Sequence, residues 1–212
     1  MLRKNIGPVT VMGFARYSAK PGIDPADLIA ATRVWQKDFL AHQPGIAMHC
    51  FLGNLKGEFA DAILATDEAS FIAMAQKHPN APSTRPVMDL LDRDSIRLAK
   101  NNLLGGPVPL PVEFSCVEFG TFTPKDFKSF SEEALLDASH KIESAYLANF
   151  DEAKSHFVAR VDESTYSEIA FVDSSGAARE ICAGYMGNKD CSPMLEMFDP
   201  MSVDLDFWHV LA

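Results

Sequence analysis

The sequence predicts an α+β protein made of two tandem β-α-β-β-α-β units. Three observations carry this. "LLDRDSIRL" at Leu90–Leu98 and "MFDPMSVDL" at Met197–Leu205 share one pattern: two apolar residues, Asp, two variable positions, Ser, a β-branched residue, a variable position and Leu. Asp92 and Asp199 lie 107 residues apart, and that offset, applied without gaps, also pairs Gly13 with Gly120, Leu28 with Leu135, His49 with His156 and Pro86 with Pro193. Both halves, finally, run through the same order of period-two and helical hydrophobic patterns.

The first half opens with a strand over Pro8–Tyr17. The basic start and small-residue end of Met1–Ala19 imitate a leader, but Pro8 and Gly13 break its apolar run, and a strand accounts for it better. Asp24 is an N-cap and Pro25 a first helical residue; Leu28, Ala31, Thr32, Trp35, Phe39 and His42 then recur on one helix face until Pro44-Gly45 stops it. Ile46–Asn54 and Glu58–Thr66 form a hairpin around Leu55-Lys56-Gly57. Asp67 caps a short helix, Gln76–Pro86 is irregular, and "DSIRLAK" is the last strand.

The second half repeats this order. Glu113–Phe122 is a strand, Ser131–Ala148 a helix, Ala153–Val161 and Thr165–Asp173 a hairpin, Ser175–Ala183 a weaker helix and Ser202–Val210 a last strand. "NNLLGGPVPLP" joins the halves as a linker, so the expected domains are residues 1–104 and 105–212. Each is a ferredoxin-like unit, with helices on one face of an antiparallel sheet. Met48, Cys50 and Leu52 point one way and Ala47 and Phe51 the other, so both sheet faces require burial. Two sheets packed face to face would make a pseudo-dimeric α/β barrel within one chain.

"QPGIAMHCFLGNLKG", "EFADAILATDEASFIAMA" and the closing "DRDSIRL" and "DPMSVDL" resemble the dimeric α/β-barrel superfamily, and within it the antibiotic-biosynthesis-monooxygenase-like (ABM-like) domains. The resemblance covers both halves. It implies a pocket in each unit between sheet and helices, suited to a small apolar or aromatic molecule. The activities it brings include cofactor-independent oxygenation, haem degradation, lactone isomerisation and sugar-phosphate epimerisation. Haem degradation is disfavoured, because the third-strand position where many relatives carry Trp holds Ala65 and Val172.

The candidate chemistry is a histidine and an acid found in both halves. Closing the first hairpin on Leu55-Lys56-Gly57 sets Phe51 opposite Asp61 and His49 opposite Ile63, which makes His49 and Asp61 diagonal neighbours. The same pairing around Asp162-Glu163-Ser164 brings His156 to Glu168. A carboxylate beside an imidazole fixes its tautomer and raises its basicity, as a general base requires. His49, Asp61, His156 and Glu168 are therefore the catalytic candidates. Lys154 and Arg160 share the parity of His156 and favour the second pair on polarity. A cross-strand pair that only sets register is the competing reading.

Trp35, Arg85 and Tyr185 are the candidate pocket residues, Trp35 from the apolar helix face and the others from Gln76–Pro86 and Gly184–Pro193, which lie where lids would. For Trp35, core packing is the favoured reading and pocket wall the alternative. Arg16 and Tyr17 end the first strand, where a pocket mouth would open.

Bulk properties narrow the rest. The 212-residue chain is 47% hydrophobic and carries a net charge of −10, which argues against nucleic-acid and anionic-membrane partners. Four scattered cysteines without a C-x-x-C pair read as reduced thiols of a cytoplasmic protein. No nucleotide-binding glycine loop, nucleophile elbow or metal-ligand cluster occurs, and no cofactor or metal is expected. The leading expectation is a cofactor-independent monooxygenase or isomerase for a small-molecule substrate. A non-catalytic ligand-binding or sensing module and a mainly structural protein are the alternatives. The chain would act as a monomeric pseudo-dimer or as a homodimer formed through its helices.

Overall fold

A computed structural model describes all residues, Met1–Ala212. The chain divides into two compact units: Met1–Asn102 with Pro107–Leu110 and Val210–Ala212, and Leu103–Gly106 with Pro111–His209.

In the first unit the elements are β1 (Leu2–Arg3), β2 (Val11–Tyr17), α1 (Pro25–Asp38), β3 (Ile46–Gly53), β4 (Phe59–Ala65), α2 (Glu68–Lys77), α3 (Thr84–Leu90) and β5 (Arg97–Leu103). The antiparallel order is β1-β3-β4-β2-β5. The second unit contains β6 (Cys116–Phe122), α4 (Glu132–Ala145), β7 (Ala153–Arg160), β8 (Tyr166–Val172), α5 (Ser175–Ala183), α6 (Ser192–Leu195) and β9 (Asp204–Val210), with sheet order β7-β8-β6-β9. The β-α-β-β-α-β order is thus present in each.

Local chemistry explains the elements. Side chains of Asp24, Asp67, Ser131 and Ser174 accept from Ala26, Ser70, Ala134 and Ala177 backbone N–H groups and start four helices. Asn54 Oδ1 accepts from the N–H groups of Lys56 (3.0 Å) and Glu58 (2.9 Å), and Gly57 supplies the positive φ that closes the first hairpin. The register is the expected one: Phe51 faces Asp61, His49 faces Ile63 and His156 faces Ala170. Each hairpin carries an irregularity at the equivalent place, between Ile46 and Met48 and between Ala153 and Ser155.

Residues of β2, β3 and β4 are buried on both faces: Met12, Met48, Cys50, Leu52 and Leu64 as well as Val11, Phe51 and Ala65. The second set joins Leu28, Trp35, Phe71, Met74 and Val87 in the core between sheet and helices. Leu135, Ile142, Ile181, Tyr185, Met194 and Phe198 build the corresponding core of the second unit.

Several expected boundaries move. Pro8–Tyr17 contracts to Val11–Tyr17, while Val9 makes an isolated bridge to Val108. Gln76–Pro86 is not irregular throughout, because Pro86 falls in the first turn of α3, where a missing N–H breaks no helical bond. Pro193 in α6 behaves alike. Asn101–Leu103 belongs to β5 rather than a linker, since the buried Asn101 amide donates to the Met12 carbonyl at 2.8 Å. His42 is exposed, and Gln36 turns inward from α1.

Candidate functional site

In the first unit the side chains between sheet and helices do not close completely. They leave a cavity of about 300 Å³ walled by Phe71, Met74, Val87 and Leu91, with Ala15, Trp35 and Leu98 among the remaining apolar residues. Its polar wall residues are Tyr17, Asp61 and His78. Asp61 is held from behind: Tyr17 Oη donates to Oδ2 at 2.8 Å, and His49 Nε2 lies 2.8 Å from Oδ1. Gln36 Nε2 lies 2.8 Å from His49 Nδ1, completing a buried chain of four residues.

The direction of these bonds follows from donor inventory. A carboxylate only accepts, so His49 donates through Nε2–H, and Nδ1 accepts from the Gln36 amide. Burial, and then the Asp61 charge and hydrogen bond, push the Tyr17 hydroxyl well above its ordinary range and keep it a donor. Burial lowers the pKa of His78, with the Asp61 charge pulling the other way, so His78 is a neutral imidazole on the cavity wall. The Trp35 indole stands edge-on between His49 and His78, each ring centroid 5.2 Å away.

The equivalent cluster of the second unit differs. His156 Nε2 lies 2.9 Å from Glu168 Oε1, and Nδ1 lies 3.1 Å from Glu143 Oε1, with Ser139 Oγ 3.3 Å from the same nitrogen. Both ring nitrogens must donate, which makes an imidazolium. Burial opposes that charge, but the two carboxylates prevail and raise the pKa to about 9. Burial, followed by the charges of Glu168 and Glu118, keeps the Tyr185 hydroxyl protonated. Nearby Glu118 is raised to about 8 by burial and by the charge of Glu168. No three His, Cys, Asp or Glu side chains are grouped so as to hold a metal ion.

No family model and no curated protein matches the chain. Solved structures do. An anthrone oxidase-like protein superimposes with a TM-score of 0.57 at 13% identity, over 96% of this chain and 92% of its own. A heme-binding protein of Thermus thermophilus gives 0.63 at 9%, over 98% and 92%. A ferredoxin-fold protein of Listeria monocytogenes related to antibiotic biosynthesis monooxygenases gives 0.53 at 12%, over 99% of both. What these structures share with the chain is the fold, a ferredoxin-like β-α-β-β-α-β unit that occurs twice here.

Within this fold the residues singled out in the sequence separate. His49 and Asp61 meet, as do His156 and Glu168, but the order relative to the cavity is the reverse of the expected one. Asp61 faces the cavity, while His49 is fully buried behind it. Trp35 lines the cavity, and Tyr185 is packed in the core of the other unit. Arg85 lies outside this cavity wall: its side chain is 87% exposed and pairs with Asp89 at 3.6 Å. Lys154 and Arg160 do not join His156 either. Lys154 sits at the strand irregularity and donates to the Asp151 carbonyl, and Arg160 pairs with Glu132 at 3.3 Å. Gln36, His78, Glu143 and Glu118 were not singled out. The 107-residue offset carried a signal for two of them, since it pairs Gln36 with Glu143 just as it pairs the histidines.

Proposed function

We propose that the first unit binds a small aromatic or enolisable molecule and removes a proton from it. One observation carries this reading: the ionisable carboxylate of Asp61 in an otherwise largely apolar cavity, oriented by Tyr17 and His49. Phe71, Met74, Val87 and Leu91 supply apolar surface for a ring, and Asp61 meets an acidic O–H or C–H at its edge. His78 is a second proton acceptor on the same wall. Removing a proton beside a carbonyl leaves an enolate, which isomerises on reprotonation at another atom or is oxygenated with dioxygen as oxidant. Two of the structural neighbours, anthrone oxidase-like and related to antibiotic biosynthesis monooxygenases, favour the second outcome. A haem does not fit this cavity, whose volume of about 300 Å³ is at the lower end for small-molecule sites. In this reading the His156 cluster is a buried ion-pair network without a catalytic part.

Anthrone, with its acidic methylene, is a suitable probe. The 107-residue offset sets Ala15 against Phe122, which stacks on Phe198 with centroids 3.5 Å apart, so Ala15→Phe transplants the second unit's filling into the first. The wild-type protein is expected to bind anthrone and to accelerate deuterium exchange at its methylene, and Ala15→Phe to weaken binding by about tenfold or more. Binding without acceleration would identify a ligand-binding module instead. Binding unaffected by Ala15→Phe would place the ligand elsewhere.

A further inference from the structure

Two histidines at equivalent positions of equivalent hairpins carry different partners at Nδ1. We propose that this partner, Gln36 in the first unit and Glu143 in the second, sets the charge of the buried imidazole, and through it whether the carboxylate beyond is a free anion or half of an ion pair. Gln36 is then a positioning residue that keeps Asp61 negatively charged and unneutralised at the cavity wall. The consequence for substrate rests on the reading of Asp61 as the working carboxylate; the charge assignment itself does not.

Donors and acceptors at short distances decide the charge of each ring. In both units Nε2 meets a carboxylate oxygen, 2.8 Å away in Asp61 and 2.9 Å away in Glu168, and must donate to it. The side chain at Nδ1 then decides the second proton. Gln36 offers an amide N–H at 2.8 Å, which the bare Nδ1 lone pair accepts, leaving a neutral ring. Glu143 has no proton to offer at 3.1 Å, so Nδ1 must carry one. His49 is fully buried, with Trp35 in a T-shaped contact at a centroid distance of 5.2 Å. Around His156 every element contributes acid or hydroxyl: Glu143 and Ser139 from α4, Glu168 from β8 and Glu118 from β6. The imidazolium there neutralises Glu168, whereas nothing in the first chain of bonds neutralises Asp61. A neutral hydroxyl- or carbon-acid ligand is therefore accepted beside Asp61, and an anionic one is repelled.

The test reads ring protonation rather than turnover. Long-range ¹H–¹⁵N correlation spectra of the full ¹⁵N-labelled chain at about pH 8, above the ordinary histidine range, should show His49 protonated at Nε2 alone and His156 at both nitrogens. Gln36→Glu should add a proton to His49, and Glu143→Gln should remove Nδ1–H from His156. A doubly protonated wild-type His49, or a His156 that keeps both protons in folded Glu143→Gln, would overturn the proposal. Glu143 is 40% exposed, so its amide variant decides the matter even if Gln36→Glu does not fold. Because no substrate enters, failure here is distinguishable from failure of anthrone to react.

Discussion

His49 and Asp61 exchange the parts that their sequence pattern suggests. An imidazole with a carboxylate behind it is the familiar general base, yet here Trp35 of α1 lies against His49 and the cavity opens on Asp61. Hairpin arithmetic located the pair because the Gly57 turn fixes register. It said nothing of which partner α1 covers, and that depends on packing between elements. At His156 and Glu118 the same kind of burial has a measurable linkage. Both folded-state pKa values exceed the ordinary ones, about 9 for His156 and about 8 for Glu118. For His156 the stabilisation is complete below its unfolded value and is lost as pH rises through about 9. For Glu118 the folded state holds a proton that the unfolded state has released, so stability falls from the ordinary carboxyl range up to about pH 8. Both act in one direction. The urea midpoint should decline steadily between neutral pH and about pH 9, and Glu118→Gln should remove part of that slope. A flat or rising midpoint would refute these charge assignments.

Strands and helices were legible where local chemistry decides them, and blurred where a neighbour decides. The Asp-x-x-Ser phrase is a turn in both units: Asp92 and Asp199 cap the residues two further on, and Ser95 and Ser202 accept from the Ser18 and Thr123 backbone N–H groups at 2.9 and 2.8 Å. By contrast, β5 extends over Asn101–Leu103, which looked like a linker, because the Asn101 amide finds the Met12 carbonyl across the sheet. Gly13 shows how packing of an element shapes the cavity. A Cβ there would overlap the Phe71 ring of α2, so a bare backbone on β2 is what lets Phe71 take its place in the cavity wall. Gly13→Ala should cost about 1–3 kcal/mol through overpacking and displace Phe71. Chemical denaturation measures the first effect and anthrone affinity the second; unchanged values for both would show that α2 yields without consequence.

Each unit has its own segments and its own core, and the two have diverged within one architecture. The sequence revealed that divergence as unequal polarity around the histidines and pointed towards the second pair. That inference failed to weigh volume. Ala15 against Phe122 and His78 against Tyr185 are the substitutions that matter, since the first of each pair borders open space and the second is packed core. Such differences are invisible until helices are docked on their sheet. The functional account therefore stands on the first unit alone, and methylene exchange of anthrone in deuterated buffer, compared between Asp61→Asn and Glu168→Gln, tests it. The expected result is a loss of about 10²–10⁴-fold in Asp61→Asn, the range for removal of a general base, with Glu168→Gln at the wild-type rate. Loss of exchange in Glu168→Gln with Asp61→Asn unimpaired would contradict it.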